Sequence, residues 1–270
     1  SPGDIIEEIT ALADAGVREV TLLGQNVNSY AYDDGSKDDG QPFVKLLSMV
    51  CAVEKIERVR FVTSHPKDIS TELIELFAKE DKLARHIHLP VQSGSDKVLE
   101  MMGRGYTSGD YLKKVERLKA LYPEMSITTD IIVGFPGERD EDFEQTLALI
   151  DKVRFDNIYS FKYSPRPETL AAGFDAQVED GIKSKRLLLL QERQVAITAE
   201  KSRELVGTTA RVLVEGRSVK DSEELTGRSS INRVINFPGA KALVGEIIDV
   251  SITKALPNSL RGVHIERSLN

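Results

Sequence analysis

Residues 128–138 read TTDIIVGFPGE, an apolar run that breaks into a turn of glycine and proline and then into an acidic helix start. β-branched residues before such a turn are typical of a buried strand. In α/β proteins, ligands commonly bind where a strand ends and the next helix begins. This stretch therefore predicts a strand whose carboxyl end contributes to a binding site.

Four more apolar segments end in a polar or Pro/Gly turn in the same way. They are VREVTLLGQNVN at 17–28, VRFVTSHP at 59–66, RHIHLPVQSGS at 85–95 and FDNIYSFKYSPRPET at 155–169. The first four of the five predicted strands are each followed by a helical pattern, which indicates parallel strands joined by right-handed crossovers. Their carboxyl ends would then share one rim, as in TIM-like barrels and open α/β sheets.

The chain changes character near Gly207. A long polar and leucine-rich helical pattern at about 178–205 ends the α/β part. Five short strand patterns follow it, namely TTARVLVEG, EELTGRSS, NRVINF, GEIIDVSITKAL and RGVHIERS. Five strands in about 60 residues predict a small all-β barrel of the size of oligonucleotide-binding folds. We therefore predict two domains, 1–205 and 206–270.

The composition narrows the class of protein. The 270 residues are 40% hydrophobic and 29% charged, as in ordinary soluble proteins, and no apolar run is long enough to span a bilayer. The start is not a signal peptide, so we predict a cytoplasmic protein without a membrane partner. The single cysteine, Cys51, excludes an internal disulfide framework and a cysteine-based metal cluster held by this chain alone. Its helical surroundings predict a buried core thiol.

Charge is divided unevenly between the two parts. From residue 206 onward there are nine Lys/Arg and seven Asp/Glu, a net charge of +2, whereas the whole chain carries −7. Guanidinium, amide and aromatic groups near the strand ends of this last part suit phosphate contact, base-edge hydrogen bonding and base stacking. The alternative is that the Asn and Ser residues form turns and the Arg residues are solvated. The predicted RNA-binding residues are Arg228, Asn232, Arg233, Asn236, Phe237, Asn258, Ser259 and Arg261.

A set of motifs occurs in order along the chain. The motifs are GQNVNSY at 24–30, TSHP at 63–66, HLPVQSGSDKVLEMMGR at 88–104, TDIIVGFPGE at 129–138, YSFKYSPRPETLAA at 159–172, TGRSSINRVINF at 226–237 and PNSLRG at 257–262. Together they resemble the tRNA methylthiotransferases of the radical S-adenosylmethionine (SAM) class, the MiaB type. The resemblance covers nearly the whole chain.

This resemblance implies both a fold and a reaction. The fold would be a partial (βα)6 TIM-like radical SAM barrel that lacks its first strand, followed by a small five-stranded TRAM barrel that holds tRNA. The family converts N6-isopentenyladenosine beside the anticodon into its 2-methylthio form. The implied cofactors are SAM and two 4Fe-4S clusters, and the implied partners are tRNA and an electron donor such as flavodoxin or ferredoxin. We expect a monomer.

The sequence departs from the family at the cluster ligands. The family's CxxxCxxC loop would lie upstream of Ser1, at the end of the missing first strand, and the auxiliary-cluster domain would precede it. Iron–sulfur ligation needs several thiolates, which one helical cysteine cannot replace. We therefore expect a C-terminal part of a longer enzyme, inactive on its own, with no residue assigned as catalytic or as a metal ligand.

Position on the rim, together with the resemblance, predicts a site for SAM and the incoming adenosine. Gln25 and Asn26 would accept hydrogen bonds from the ammonium group, and the glycines of GFPGE would let the backbone approach the adenine ring. For His65 the alternative is a strand cap before Pro66, and His88 is expected to be a hydrogen-bonded interior histidine. The predicted cofactor-binding residues are Gln25, Asn26, Ser64, His65, Gln92, Ser93, Asp130, Gly134, Gly137, Glu138, Tyr163 and Arg166.

Three functions stay open at this point. The first is tRNA methylthiotransferase activity on isopentenyladenosine. The second is methylthiolation of a ribosomal-protein aspartate or of another modified adenosine, against which the Asn- and Arg-rich tail motifs argue. The third is a non-catalytic RNA-binding module in which the α/β part is only a scaffold.

Overall fold

The computed structural model describes residues 1–24, 26–32, 41–62, 65–167, 169–219, 221 and 223–266. The helices within these residues are α1 (Pro2–Asp14), α2 (Pro42–Cys51), α3 (Thr71–Lys79), α4 (Asp96–Met101), α5 (Ser108–Leu121), α6 (Asp140–Val153) and α7 (Asp180–Glu204). The strands of the α/β part are β1 (Glu19–Leu22), β2 (Arg58–Phe61), β3 (His86–His88), β4 (Ser126–Val133) and β5 (Asn157–Lys162). Those of the small barrel are β6 (Thr209–Arg217), β7 (Glu224–Ser229), β8 (Val234–Pro238), β9 (Ile247–Ala255) and β10 (Leu260–His264).

The first five strands form a continuous parallel wall. β1 pairs with β2, and β4 pairs with both β3 and β5, always in the parallel sense. The wall continues from β2 to the segment before β3. The amide of Val59 donates to the carbonyl of Lys82, and the amide of Ala84 donates to the carbonyl of Val59. The strand ends therefore share one rim, as predicted.

The two faces of this wall differ in chemistry. Successive side chains of a strand point to opposite faces. Ile87, Ile127 and Ile158 are buried in the core with apolar helix residues. The alternate positions carry polar and aromatic groups, such as His88 and Tyr159. A polar inner face is therefore available for ligands.

The second part of the chain is a closed barrel with the strand order β10–β8–β7–β6–β9. A separate apolar core fills it. Gly227 lies where β6 and β7 cross closely, because a Cβ there would be only 2.2 Å from the Leu213 carbonyl oxygen. Core residues of this barrel are Val212, Val214, Leu225, Ile235, Phe237, Val250, Ile252 and Leu260.

The small barrel is fixed to the amino-terminal ends of the parallel strands. Arg58, at the start of β2, donates to the carbonyl oxygens of Arg211 (2.8 Å) and Arg228 (3.1 Å). Arg60 donates to the carbonyl oxygen of Ser229 at 2.6 Å. Side chains of the α/β part thus donate hydrogen bonds to main-chain carbonyls of the small barrel.

Glu19 balances the charge of these two guanidiniums. Its carboxylate accepts from Arg58 at 2.8 Å and from Arg60 at 2.7 Å, and none of the three side chains is more than 10% exposed. Burial lowers the pKa of Arg58, and the neighbouring Glu19 opposes this effect. We call Glu19, Arg58 and Arg60 the docking triad.

Asp156, just before β5, makes a further connection between the two units. Its carboxylate accepts from Arg233 of the small barrel at 3.2 Å and from Lys201 of α7 at 2.5 Å. It also accepts from the Ile127 amide of β4 at 3.0 Å. One buried carboxylate therefore joins β4, α7 and the β7–β8 hairpin.

The predicted fold class is confirmed: five parallel strands alternate with helices, and a closed five-stranded barrel follows. The helix predicted at about 178–205 is α7, and Cys51 is a buried free thiol in α2. The domain boundary at 205/206 stays a prediction. Among the described residues, no helix is both long and apolar enough to cross a membrane.

Candidate functional site

A cavity of about 810 Å³ opens at the carboxyl ends of β3, β4 and β5. This volume lies within the range of roughly 300–1,000 Å³ that is typical of ligand pockets. We call it the rim cavity. Its apolar wall consists of Met101, Met102, Ile132, Phe135, Phe161 and Leu170. Its polar lining includes four predicted residues, Gln92, Asp130, Tyr163 and Arg166, together with Arg104.

Gln92 is held in a backbone conformation that side chains seldom adopt. Its φ angle is +72°, and it is 7% exposed. Its amide donates to the Asp130 carbonyl and its carbonyl accepts from the Ile132 amide, so β4 fixes this geometry. A non-glycine residue in this region costs about 1–3 kcal/mol, and such strain is concentrated at functional sites.

Polar contacts run along the inner face of the wall from Asp130 toward β3. His88 Nε2 lies 3.5 Å from Asp130 Oδ1, and His88 Nδ1 lies 3.0 Å from Thr128 Oγ1. The same hydroxyl lies 3.3 Å from His86 Nε2. His88 is therefore an interior histidine with hydrogen-bonding partners, and it helps to orient the Asp130 carboxylate in the cavity.

Two polar atoms of the rim-cavity residues have no partner among the residues that the structure describes. They are Tyr163 Oη and Arg104 Nε. A buried polar atom without a partner is costly, so both side chains retain hydrogen-bonding capacity that a ligand in the rim cavity could use. Arg104 has no predicted role from the sequence. The feature of the sequence that could have indicated it is its position between two glycines, Gly103 and Gly105. Both glycines have φ +68° and follow α4.

The GFPGE turn is held from behind by α7. The Glu138 side chain is 2% exposed and accepts from Arg186 Nη1 at 2.7 Å and from the Gly134 amide at 2.9 Å. Burial raises the pKa of the Glu138 carboxyl, and these two donors oppose that change. Glu138 therefore braces the turn and does not line the rim cavity.

The predicted adenine-binding role of the two glycines needs correction at Gly134. A Cβ there would lie 2.4 Å from Lys183 Cγ, so the space beside this glycine is taken by α7. At Gly137 a Cβ would lie 3.2 Å from Met101 Sδ, behind a residue of the rim cavity's wall. The glycines allow close packing of protein against protein.

Ser93 is placed away from the rim cavity. It is 1% exposed, and its hydroxyl lies 3.3 Å from Thr146 Oγ1 and accepts from the Ser95 amide. These contacts attach the loop after β3 to α6. Burial and internal pairing leave this hydroxyl no room for a ligand, which corrects its predicted role.

The remaining rim residues divide between described and undescribed positions. Asn26 donates to Asp68 at 2.9 Å, and His65 Nδ1 accepts from the Lys67 amide at 3.3 Å. His65 therefore caps the short 3-10 helix Pro66–Asp68, and not a strand as the sequence alternative had it. The predicted residues Gln25 and Ser64 lie outside the described residues.

A second cavity, of about 230 Å³, lies between the small barrel and the first residues of β4 and β5. We call it the interdomain crevice. The α/β part contributes Ser126, Thr128, Asn157 and Tyr159 to its lining. Five of the eight predicted RNA-binding residues also line it, namely Arg228, Asn232, Arg233, Asn258 and Ser259.

The other three predicted RNA-binding residues lie elsewhere. Phe237 is 0% exposed in the core of the small barrel, so its ring cannot stack on a base, and its predicted role is wrong. Asn236 is part of β8, and Arg261 pairs with Glu224. The period-two burial pattern of β8 is the signal that would have placed Phe237 inside.

The residues present fit SAM but not an iron–sulfur cluster. In the described parts of the chain, no group of three or more His, Cys, Asp or Glu side chains could hold a metal ion. Burial raises the pKa of the Cys51 thiol to about 12, which disfavours the thiolate that ligation needs. The rim cavity, in contrast, offers cations, a carboxylate, unpartnered polar atoms and an apolar wall. These groups suit SAM, which combines an amino acid with a nucleoside.

His86 should make the fold sensitive to acid. Burial lowers the pKa of its imidazole to about 3, with a smaller contribution from the nearby Arg60, whereas the unfolded value is about 6.5. Between these values the unfolded chain binds more protons, so stability falls as pH falls. We expect urea unfolding to show a loss of up to about 1.4 kcal/mol per pH unit below pH 6.5. The same titration of His86→Gln should be flatter, and parallel curves would contradict the assignment.

Comparison with known proteins identifies the class. Residues 1–150 match the family model described as "Radical SAM superfamily", and residues 203–265 match the TRAM domain. The chain therefore belongs to the radical SAM superfamily, and it carries a TRAM domain. Among solved structures, it resembles coproporphyrinogen III oxidase (HemN) from Escherichia coli, a radical SAM enzyme. That match has a TM-score of 0.53 and 13% identity over 98% of this chain and 64% of the other, and it shows the fold alone.

Curated relatives narrow the comparison further. The chain is 52% identical over 262 residues to the tRNA-2-methylthio-N(6)-dimethylallyladenosine synthase of Syntrophus aciditrophicus, covering 97% of this chain and 56% of that protein. It is also 52% identical over 261 residues to the synthase of the same name from Alkalilimnicola ehrlichii, covering 96% of this chain and 58% of the relative. The chain thus spans little more than half the length of these relatives.

Proposed function

We propose that this chain is the SAM-binding and tRNA-binding part of a methylthiotransferase that converts N6-isopentenyladenosine beside the anticodon into its 2-methylthio form. The observation that carries the proposal is the rim cavity, with its unpartnered Tyr163 and Arg104 atoms. The 52% identity to two synthases named for this product supports the choice of reaction.

Within this proposal, the residues of the rim cavity hold SAM and the target base. Arg104 and Arg166 pair with the carboxylate of SAM, since guanidinium groups bind carboxylates in a planar, charge-assisted way. Asp130, oriented by His88, accepts from the ammonium group or the ribose hydroxyls. One SAM, bound beside a reduced cluster, would supply the radical on reductive cleavage, and a second SAM would supply the methyl group. The apolar wall excludes water from the reacting atoms.

The cluster chemistry belongs to the rest of a longer cytoplasmic protein in this proposal. Two 4Fe-4S clusters, ligated outside these 270 residues, and an electron donor such as flavodoxin or ferredoxin complete a monomeric enzyme. In this proposal, residues 1–205 contain the SAM site and residues 206–270 bind tRNA. The isolated chain is then inactive, and anaerobic reconstitution with iron and sulfide should give no stoichiometric cluster absorbance.

The alternatives differ in substrate or in class. A methylthiotransferase for a ribosomal-protein aspartate or another modified adenosine would use the same rim cavity. A non-catalytic RNA-binding module would need neither SAM nor the rim cavity. Both are separated from the proposal by the experiments below.

SAM binding by this chain is the first test. Isothermal titration calorimetry should detect SAM binding to the chain, and Arg104→Met or Asp130→Asn should weaken it about tenfold or more, because each loses a hydrogen bond to a charged group. Asp140→Asn, an exposed carboxylate near the GFPGE turn, is the control and should leave affinity unchanged. Equal affinities in all four proteins would refute the assignment of the rim cavity.

The reaction itself is tested with the complete protein, supplied with reductant and SAM. Mass spectrometry should detect the methylthio group on a tRNA stem-loop that carries isopentenyladenosine and none on the unmodified stem-loop. A methylthio group on ribosomal protein would favour the second function.

A further inference from the structure

We propose that the interdomain crevice binds the base of an unpaired nucleotide adjacent to the adenosine that enters the rim cavity. The inference rests on the proposed function, and it adds a second, base-reading site on the far side of His88. The crevice thereby makes the docked small barrel part of substrate selection.

The chemistry of the lining suits a nucleobase. Tyr159 is 51% exposed and presents an aromatic ring, which stacks on any base. The amides of Asn157 and Asn258 are exposed and make no side-chain hydrogen bond with other described residues. Amides of this kind read the edges of bases that have left the helical stack, the form in which proteins recognise RNA sequence.

Unpartnered atoms also point to a ligand in the crevice. Ser126 is 1% exposed, and its Oγ has no hydrogen-bond partner among the described residues. Arg233 donates from Nη2 to Asp156, but its Nε is buried without a partner. A hydroxyl and a guanidinium N–H left free at one site provide both an acceptor and donors for a heterocycle.

Size favours one base over a complete cosubstrate. The crevice holds about 230 Å³, whereas the rim cavity holds about 810 Å³. The smaller value is below the roughly 300 Å³ at which pockets for drug-sized ligands begin. A single planar ring system is therefore the better fit.

The two cavities are lined by residues that lie two positions apart on the same strands of the wall. Thr128 lines the crevice and Asp130 lines the rim cavity, and Tyr159 and Phe161 are related in the same way on β5. Residues two apart on a strand are about 6.6 Å apart. An RNA strand with splayed bases can therefore place the target base in one cavity and a neighbour in the other.

Binding of short RNA stem-loops by this chain tests the inference. The loops carry isopentenyladenosine, and in two of them the base on its 5′ or 3′ side is removed to leave an abasic site. Fluorescence anisotropy should show that one of the two abasic loops binds the wild type about tenfold more weakly, as expected for loss of one stacked base. The double variant Tyr159→Ala/Asn258→Ala removes the stacking ring and one base-reading amide, so it should bind the intact loop more weakly and lose little further affinity on that abasic loop.

Gln145→Ala provides a matched control, because it removes an exposed amide of α6 that lines neither cavity. Its penalty for the abasic site should equal that of the wild type. Equal penalties in the wild type and the double variant, for both abasic loops, would overturn the crevice proposal and leave the proposed function in place. Failure to prefer the isopentenylated loop over an unrelated hairpin would overturn both.

Discussion

Glu19→Ala should lower the free energy of unfolding by about 3–5 kcal/mol, because it leaves two buried guanidiniums without their counter-charge. Arg58 and Arg60 remain fixed by main-chain carbonyls of the small barrel, so neither can turn to solvent without breaking the docking contacts. Urea unfolding followed by circular dichroism measures the change.

Glu57→Ala is the matched control for Glu19→Ala. Glu57 also pairs with an arginine of the small barrel, Arg211 at 2.7 Å, but both side chains are more than a third exposed. Exposed pairs contribute about 0.2–1 kcal/mol, so this variant should unfold close to the wild type. Similar unfolding midpoints for the two variants would show that the docking triad does not stabilise the fold.

Glu138→Ala should cost a comparable 3–5 kcal/mol and should also weaken SAM binding. It leaves Arg186, whose side chain is 7% exposed, without its buried partner, and it frees the Gly134 amide. The turn that loses its brace contains Phe135, which belongs to the apolar wall of the rim cavity. Thermal or urea unfolding and SAM calorimetry on the same preparation measure the two effects.

The control for this prediction uses the same guanidinium. Asp140 pairs with Arg186 at 2.7 Å, but its side chain is 88% exposed. Asp140→Ala should therefore cost no more than about 1 kcal/mol and leave SAM affinity unchanged. If the two variants are equally stable, the buried carboxylate does not brace the turn.

Local patterns were sufficient to predict the strands. Each parallel strand lies in an apolar segment that ends at a glycine, proline or polar turn, and these signals lie within about ten residues of each other. The shared rim then follows from parallel strand direction. Gln92, Asp130, Tyr163 and Arg166 were therefore placed at one cavity by topology together with family resemblance.

The docking triad could not be predicted in this way. Arg58 and Arg60 look like solvated charges that alternate in a strand, and their acceptors are carbonyl oxygens more than 150 residues away in the chain. Because every residue has a main-chain carbonyl, the sequence does not show which carbonyls accept hydrogen bonds from distant side chains. For the same reason, the only contacts predicted for the TGRSSINRVINF motif were contacts with RNA, although its backbone also accepts hydrogen bonds from Arg58 and Arg60.

The use of peptide oxygens as acceptors has a practical consequence for protein engineering. A different small barrel with the same hairpin path can be grafted onto this α/β scaffold without redesigning any residue of the graft's surface to match Arg58 or Arg60. Such a graft must keep an arginine at the position of Arg233, because its side chain pairs with Asp156 across the joint.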